Sequence, residues 1–190
     1  MDPERLIKSQ RVYEGTIVSV RRDTVMVTKP DREIAAVREV VEHSDAVVIV
    51  PIDSDGNILL VRQFRYAIGT TLLEAPAGGI ERDENPREAA QRELREETGY
   101  RADHLIPLGS FWVAPGWADE YMHAFLASGL SPDRAVMDDD ENVDVVPVPW
   151  QDILGLIQTG EILDAKTIAS LLIAFGLRST KISSNKVIEP

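Results

Sequence analysis

The sequence predicts an α/β protein of the α+β type, a mixed-sheet sandwich with helices packed against it and a small antiparallel β-sheet at its N-terminal end. Three observations predict this. Strand and helix patterns alternate irregularly, without the regular βαβ rhythm of a doubly wound fold. One strand-length run, Ala46-Val-Val-Ile-Val-Pro-Ile52, is apolar throughout, as a strand covered on both faces must be. Residues 10–43, ahead of the first helix pattern, are crowded with β-branched side chains.

Taken in order, Thr16-Ile-Val-Ser-Val20 and Thr24-Val-Met-Val-Thr28 read as two strands joined at Arg21-Arg-Asp23, and Ile34 to Val41 as a third. Three such strands are marginal alone and call for a larger body or a second subunit to pack on. After the apolar run, Asp53-Ser-Asp-Gly56 is a turn and Asn57 to Arg62 the returning strand. Residues 85–98 carry a complete set of helix signals. Asn85 suits the N-cap, Pro86 the first helical position and Glu88 the reciprocal capping place, and Gly99 is the stop. Leu105 to Leu108, Ser110 to Val113, Tyr121 to Ala127 and Val143 to Val148 follow as strands. A helix from Trp150 to Thr159 stops at Gly160, and Asp164 caps a last helix from Ala165 to about Phe175, stopped by Gly176. The chain thus divides into an N-terminal sheet segment, 1–43, a main domain, 44–178, and a polar tail, 179–190.

Charge and composition narrow the function classes. Thirty-two acidic against 20 basic residues give a net charge of −12, which disfavours a coat on nucleic acid, since that needs basic stripes. An anionic substrate stays compatible if divalent cations lie between it and the protein. The absence of cysteine removes disulfides, thiolate metal sites and a cysteine nucleophile. His43, His104 and His123 are too scattered to make a histidine zinc site. No apolar run approaches the roughly 20 residues that span a bilayer, and the opening MDPERLIKSQ has no apolar leader core, so a cytoplasmic chain with no membrane partner is expected.

The chemistry concentrates in 78–100. With Glu93 at 0° on a wheel of about 100° per residue, Glu97 falls near +40° and Glu96 near −60°. Like charges at these spacings repel by about a few tenths of a kcal/mol each, and two of them lie near the helix C-terminus, where the dipole disfavours anions. A solvated acidic face partnered by Arg92 and Arg95 is the plain alternative. A hard divalent cation would turn the repulsion into attraction. The glycines of Ala77-Gly78-Gly79 allow backbone to approach a ligand closely.

Gly78, five residues, Glu84, seven residues, then Arg92-Glu-Leu-Arg-Glu-Glu-Thr-Gly-Tyr100 resembles the complete Nudix box, GX5EX7REUXEEXGU, with Tyr100 where an aliphatic residue is usual. Val61 to Tyr66, Leu73 to Gly78, Ala114 to Glu120 with Pro115 sixteen residues past Gly99, and Asp164 to Thr167 are similar to the ADP-ribose pyrophosphatase branch of that family. Ala114 stands where relatives commonly carry Ser or Thr. The resemblance implies a Nudix α/β/α sandwich that hydrolyses ADP-ribose to AMP and ribose 5-phosphate with Mg²⁺, Mn²⁺ being possible. GDP-mannose or a broader set of nucleotide sugars, or a silent nucleotide-sugar sensor, are the alternatives.

It also implies roles. Glu93 and Glu97 are the principal metal ligands, with Glu96 and the Ala77 carbonyl completing the set. Gly78, Glu84, Arg92 and Gly99 shape the motif, Arg92 by orienting Glu84. A carboxylate from the acidic run 138–144 serves as base, Glu141 first and Asp139 second, where the plain alternative is a solvated loop. Arg65 would meet the terminal ribose phosphate or the diphosphate, a strand-surface arginine being the plain alternative. Glu39, with Arg38 beside it, would meet the base, solvated strand residues being the plain alternative. Glu120 would meet the ribose hydroxyls, with Gly78 lining the substrate. Trp112, Trp117 and Tyr13 are candidates to stack the base or to serve as core. A domain-swapped homodimer is implied as well.

Overall fold

The computed structural model describes residues 3–133 and 143–184, the side chains of 178–184 excepted. The chain forms two compact units, Met1–Asp45 with Trp112–Tyr121, and Ala46–Phe111 with Met122–Pro190. The sequence-based division cut at 43 and left 112–121 in the main domain. The ten-residue return joins the first unit because its backbone pairs with the end of the N-terminal sheet, as described next.

In the first unit, β1 (Glu4–Glu14), β2 (Ser19–Thr28) and β3 (Glu33–Glu42) form an antiparallel sheet in that order. Arg21–Asp23, expected to be a turn, lies inside β2. Two of its three charges, Arg21 and Asp23, are paired locally. Arg21 Nε donates to Asp23 Oδ2 (3.0 Å) and Nη1 to Glu42 Oε1 (3.1 Å), while Arg11 Nη2 meets Glu42 Oε2 at 2.7 Å. Opposite charges facing across strands support the ladder, so a charged triplet need not end it. The reversal instead falls at Gly15, whose amide donates to the Val18 carbonyl (3.0 Å). The Val41 amide donates to the Trp117 carbonyl (2.8 Å), Asp119 N to Val41 O (3.1 Å), and His43 N to Asp119 Oδ1 (2.9 Å), which fastens the return segment to the end of β3.

The second unit is the expected mixed-sheet sandwich. It comprises β4 (Ala46–Pro51), β5 (Asn57–Arg65), β6 (Thr70–Glu74), β7 (Ala77–Gly79), α1 (Pro86–Thr98), β8 (Tyr100–Trp112), β9 (Tyr121–Pro132), β10 (Val143–Pro149), α2 (Ile153–Thr159) and α3 (Ala165–Ser184), β8 and β9 each running one residue into the first unit. One sheet has the order β7-β4-β9-β8, with β4 parallel to β9 and antiparallel to β7, and the other has the antiparallel order β10-β5-β6. All six residues of β4 are buried, as its unbroken apolar run requires. Val47 and Ile49 pack with Ala89, Ala90 and Leu94 of α1 and with Leu105, Phe125 and Ala127, and α3 also packs on β4. This core fixes α1, and therefore its acidic residues, beside the β7 glycines.

Several elements differ from expectation: β1, β6 and β7 are strands beyond those expected, 16–18 lie in the turn before β2, and α2 starts at Ile153 rather than Trp150. Two differences turn on glycines. The paired strands at 105–108 and 110–113 are one strand, β8, because Gly109 takes a φ of 139° that an L-residue would resist and so carries the chain through. The last helix runs past Gly176 to Ser184. Gly176 stays inside it, unlike Gly99 and Gly160, which take left-handed φ values of 76° and 79° and do end their helices. Residues 179–184, read as tail, are therefore helical.

Truncating Leu94, fully buried between α1 and β4, should lower stability by about 2–5 kcal/mol. Urea unfolding of Leu94→Ala monitored by circular dichroism measures it.

Candidate active site

Helix α1 carries the acidic residues, and its ends are fixed as the sequence dictates. Asn85 Oδ1 accepts from the amides of Arg87 and Glu88 (3.0 Å each), and Glu88 Oε2 accepts from Asn85 N (3.2 Å), completing the capping box. Gly99 closes the other end, its amide donating to Arg95 O at 3.0 Å.

Arg92 organises the site. Its Nε and Nη2 donate to the two oxygens of Glu84 (3.0 Å each), Nη1 to Glu93 Oε1 (2.7 Å) and Glu96 Oε2 (3.0 Å), and Nη2 to the Gly79 carbonyl (2.8 Å). One guanidinium thereby ties the glycine strand, the loop before α1 and the acidic edge of α1 together. Glu84 also accepts from the Glu81 amide (3.0 Å). Gly78 faces the Glu93 carboxylate so closely that any Cβ there would overlap it. Glu97 Oε2 accepts from the Ala77 amide (3.1 Å), which orients the strand turn into β7.

Glu93 and Glu97 are only 8% and 4% exposed, while Glu96 is half-buried. Buried carboxylates demand positive charge or donors around them. Among the described residues no three His, Asp or Glu side chains already form a metal cage. The donor set nevertheless suits a hard divalent cation in kind, since Glu93, Glu96 and Glu97 offer charged oxygens and the Ala77 carbonyl a neutral one. A shallow cleft of about 310 Å³ opens beside them, lined by Glu96, Glu97, Thr98, Gly99, Tyr100, Pro132, Val143 and Val145.

Arg65, at the end of β5, presents Nε and Nη2 to the two oxygens of Glu74 (2.8 Å each), and Lys166 Nζ reaches the same carboxylate. In the first unit, Arg38 is engaged by Glu4 through Nε (3.1 Å) and Nη2 (2.5 Å). Glu39 lines a pocket of about 430 Å³ with Arg38, Trp112, Pro115, Trp117 and Asp119, and both tryptophans are exposed. Glu120 is half-buried, and its carbonyl accepts from the Val113 amide (3.2 Å). Tyr13 is exposed on β1. Glu141 and Asp139 lie outside the described residues.

Residues 42–171 match the NUDIX domain model. The chain belongs to the Nudix family. It is 38% identical to the ADP-ribose pyrophosphatase of Bacillus subtilis (strain 168) over 166 residues, 86% of this chain and 88% of that one. It is 36% identical to the methanol dehydrogenase activator of Bacillus methanolicus over 170 residues, 88% and 90% of the two. A crystal structure of an ADP compounds hydrolase shares the fold with a TM-score of 0.85 at 23% identity, over 95% of this chain and 97% of that one.

Nudix hydrolases use a divalent cation. The Arg92 hydrogen bonds hold the Glu84 carboxyl below the usual carboxylate range. Glu84 in turn, with Glu93 and Glu96, raises the Arg92 pKa far beyond its ordinary value, so the guanidinium stays charged. Glu74 shows a balance of opposing effects. Burial pushes its carboxyl up, but the Arg65 hydrogen bond and the Lys166 charge outweigh burial and the net shift is down.

The Glu74–Lys166 pair was missed from the sequence, although a signal existed. Glu74 is a lone acid among Leu72, Leu73, Ala75, Pro76 and Ala77, where a buried position forces it to find a cation.

A carboxyl whose folded pKa is depressed stabilises fully above its unfolded value and loses that contribution as pH falls through the folded one. Wild type should therefore melt above Glu84→Gln at about pH 7, and the gap should narrow as pH is lowered below the ordinary carboxylate range. Thermal denaturation of both proteins across that range tests it.

Proposed function

We propose that this Nudix chain hydrolyses the pyrophosphate bond of nucleoside diphosphate sugars, with ADP-ribose, cleaved to AMP and ribose 5-phosphate, as the first substrate. One observation carries the reading. A single guanidinium gathers Glu84, Glu93 and Glu96 under a glycine strand, so one positive charge faces three negative ones. A diphosphate would be repelled from such a site unless dications joined it. The Bacillus subtilis relative, named for ADP-ribose, supports the choice of substrate.

Glu93 and Glu97 would hold the cation, with Glu96 and the Ala77 carbonyl as further donors; hard oxygens favour Mg²⁺, and Mn²⁺ would serve. Bound there, the cation offsets the charge of the diphosphate and lowers the pKa of water. The protein's own groups do the rest. Arg65 keeps Nη1 outside its pair with Glu74 and offers that edge to phosphate. Gly78 lets the substrate and Glu93 approach the same backbone. Glu84, Arg92 and Gly99 hold the shape of the box. Glu141 supplies the general base, with Asp139 as second choice, since hydrolysis needs a proton acceptor and the segment holding both is acidic.

For the nucleoside, the exposed Trp112 and Trp117 offer stacking faces beside Glu39, whose carboxylate takes no side-chain hydrogen bond among the described residues. Arg38 stands next to it, paired with Glu4, and Glu120 would accept from ribose hydroxyls. The diphosphate chemistry does not read the base, so GDP-mannose is the rival substrate, and Glu39 with the tryptophans would decide between them.

The chain is further proposed to be a cytoplasmic, domain-swapped homodimer. Every residue of β1 is exposed, and Leu6, Ile7, Val12 and Tyr13 among them leave apolar surface on an edge strand that a second subunit would cover. Among the described residues no helix is long and apolar enough to cross a membrane.

With Mg²⁺ and an added phosphatase, ADP-ribose should release phosphate faster than GDP-mannose, NADH or diadenosine polyphosphates at matched concentration. Glu97→Gln should lower that rate by at least about a hundredfold, and excess chelator should abolish it. An unaltered rate in Glu97→Gln would remove the metal mechanism, and inactivity on the whole panel would favour a sensor.

A further inference from the structure

The buried carboxylate of Glu74 is the least expected charge in the second unit. It closes β6 at 1% exposure, on a strand whose neighbouring residues are apolar. An apolar side chain of similar volume would pack there without the cost of desolvating an acid and two cations. Its presence there asks for a role other than stability.

The contacts give one. Glu74 binds Arg65 side-on, through Nε and Nη2, so the plane of the guanidinium is fixed and the edge bearing Nη1 is turned away from the pair. The Arg65 side chain is 38% exposed, so that edge reaches solvent. Glu74 is itself held from behind. Lys166 Nζ meets Glu74 Oε2 and also Asp164 Oδ2 (3.0 Å). Asp164 Oδ2 accepts from the amide (2.9 Å) and hydroxyl (2.5 Å) of Thr167, and the Thr167 hydroxyl accepts from the Ala75 amide (2.8 Å). The circuit therefore returns to the residue next to Glu74. Two residues further, the Ala77 amide binds Glu97. The first turn of α3 thus braces the strand end that carries both Glu74 and the turn to the box.

We propose that Glu74 is a positioning residue that aims Arg65 at the substrate diphosphate, with Lys166 locking Glu74 in place. The inference rests on the proposed role of Arg65 in binding phosphate. A long, flexible arginine loses rotamer freedom when it grips an anion; clamping it beforehand moves that loss into folding, so it weighs on KM rather than on the chemical step. The charges within the circuit balance, Arg65 and Lys166 against Glu74 and Asp164, so the clamp does not alter the net charge that the diphosphate meets.

The test is a double-mutant cycle in the full-length protein with ADP-ribose and Mg²⁺, reading KM, kcat and the equilibrium binding of ADP-ribose. Glu74→Gln should raise KM and the dissociation constant about tenfold with kcat within about threefold. In an Arg65→Ala background the same change should move them less than about twofold, because there is nothing left to aim. Should Glu74→Gln fail to fold, Lys166→Met takes its place in the cycle, and Lys166→Arg should restore the wild-type KM. An unchanged KM, or an equal rise in both backgrounds, overturns the inference while leaving the hydrolase reading intact. A wild type that neither binds nor cleaves any nucleotide sugar overturns that reading, and this inference with it.

Discussion

The architecture of the site depends on the five hydrogen bonds of the Arg92 guanidinium. Its five N–H donors are matched by five acceptors: both oxygens of Glu84, one each of Glu93 and Glu96, and the Gly79 carbonyl. No other side chain offers that many donors in one rigid plane. A lysine would keep the charge but could not hold a bidentate carboxylate and a strand carbonyl at once. The spacing of the motif follows from this geometry. Glu93 and Glu96 lie one residue on and one helical turn on from Arg92, while Glu84 reaches it from the loop before the helix.

Such an arrangement is poor design for a helix considered alone. Carboxylates cluster toward the negative end of α1, and two of them are buried. The surrounding structure tolerates them because the opposite flank of the same helix is anchored. Ala89, Ala90 and Leu94 pack on Val47 and Ile49, and the capping box and Gly99 fix the two ends. Packing supplies the stability that the acidic face withholds. That division of labour, an apolar flank bearing one crowded with like charge, is what is expected where negative charge serves ligand binding rather than folding.

Legibility in the sequence followed the range of the interactions concerned. Helix α1 could be read to its ends because caps and stops act within four residues, and β4 could be read because burial on both faces leaves an unbroken apolar run. Arg21–Asp23 was misread because charged residues normally mark turns; what keeps them in a strand is Glu42 and Arg11, pairs visible only once the strands are aligned. Gly176 was misread because glycine stops a helix only when it adopts a left-handed φ, which the local sequence does not specify. Of the candidate site, the box was legible as a spacing, including the Arg92–Glu84 link. The Glu74 circuit was not, since its members lie 92 residues apart.

The two arginines solve different problems, and the difference shows in what their pairs leave free. Arg92 spends every donor inside the protein, so it can only shape the site. Arg65 spends one edge on Glu74 and keeps the other, so it is held and still able to bind. Both remain cations: Arg92 chiefly through Glu84, and Arg65 through its hydrogen bonds to Glu74 with a smaller contribution from Glu97. Glu97 is thus near enough to Arg65 to add to the field that keeps it charged. A cation held by Glu97 would compete with Arg65 for that carboxylate's field, and a phosphate placed next to both would relieve the competition, since its oxygens can face two positive charges at once. On this account cation and diphosphate each offset charge that the other brings to the site, so each should strengthen the binding of the other.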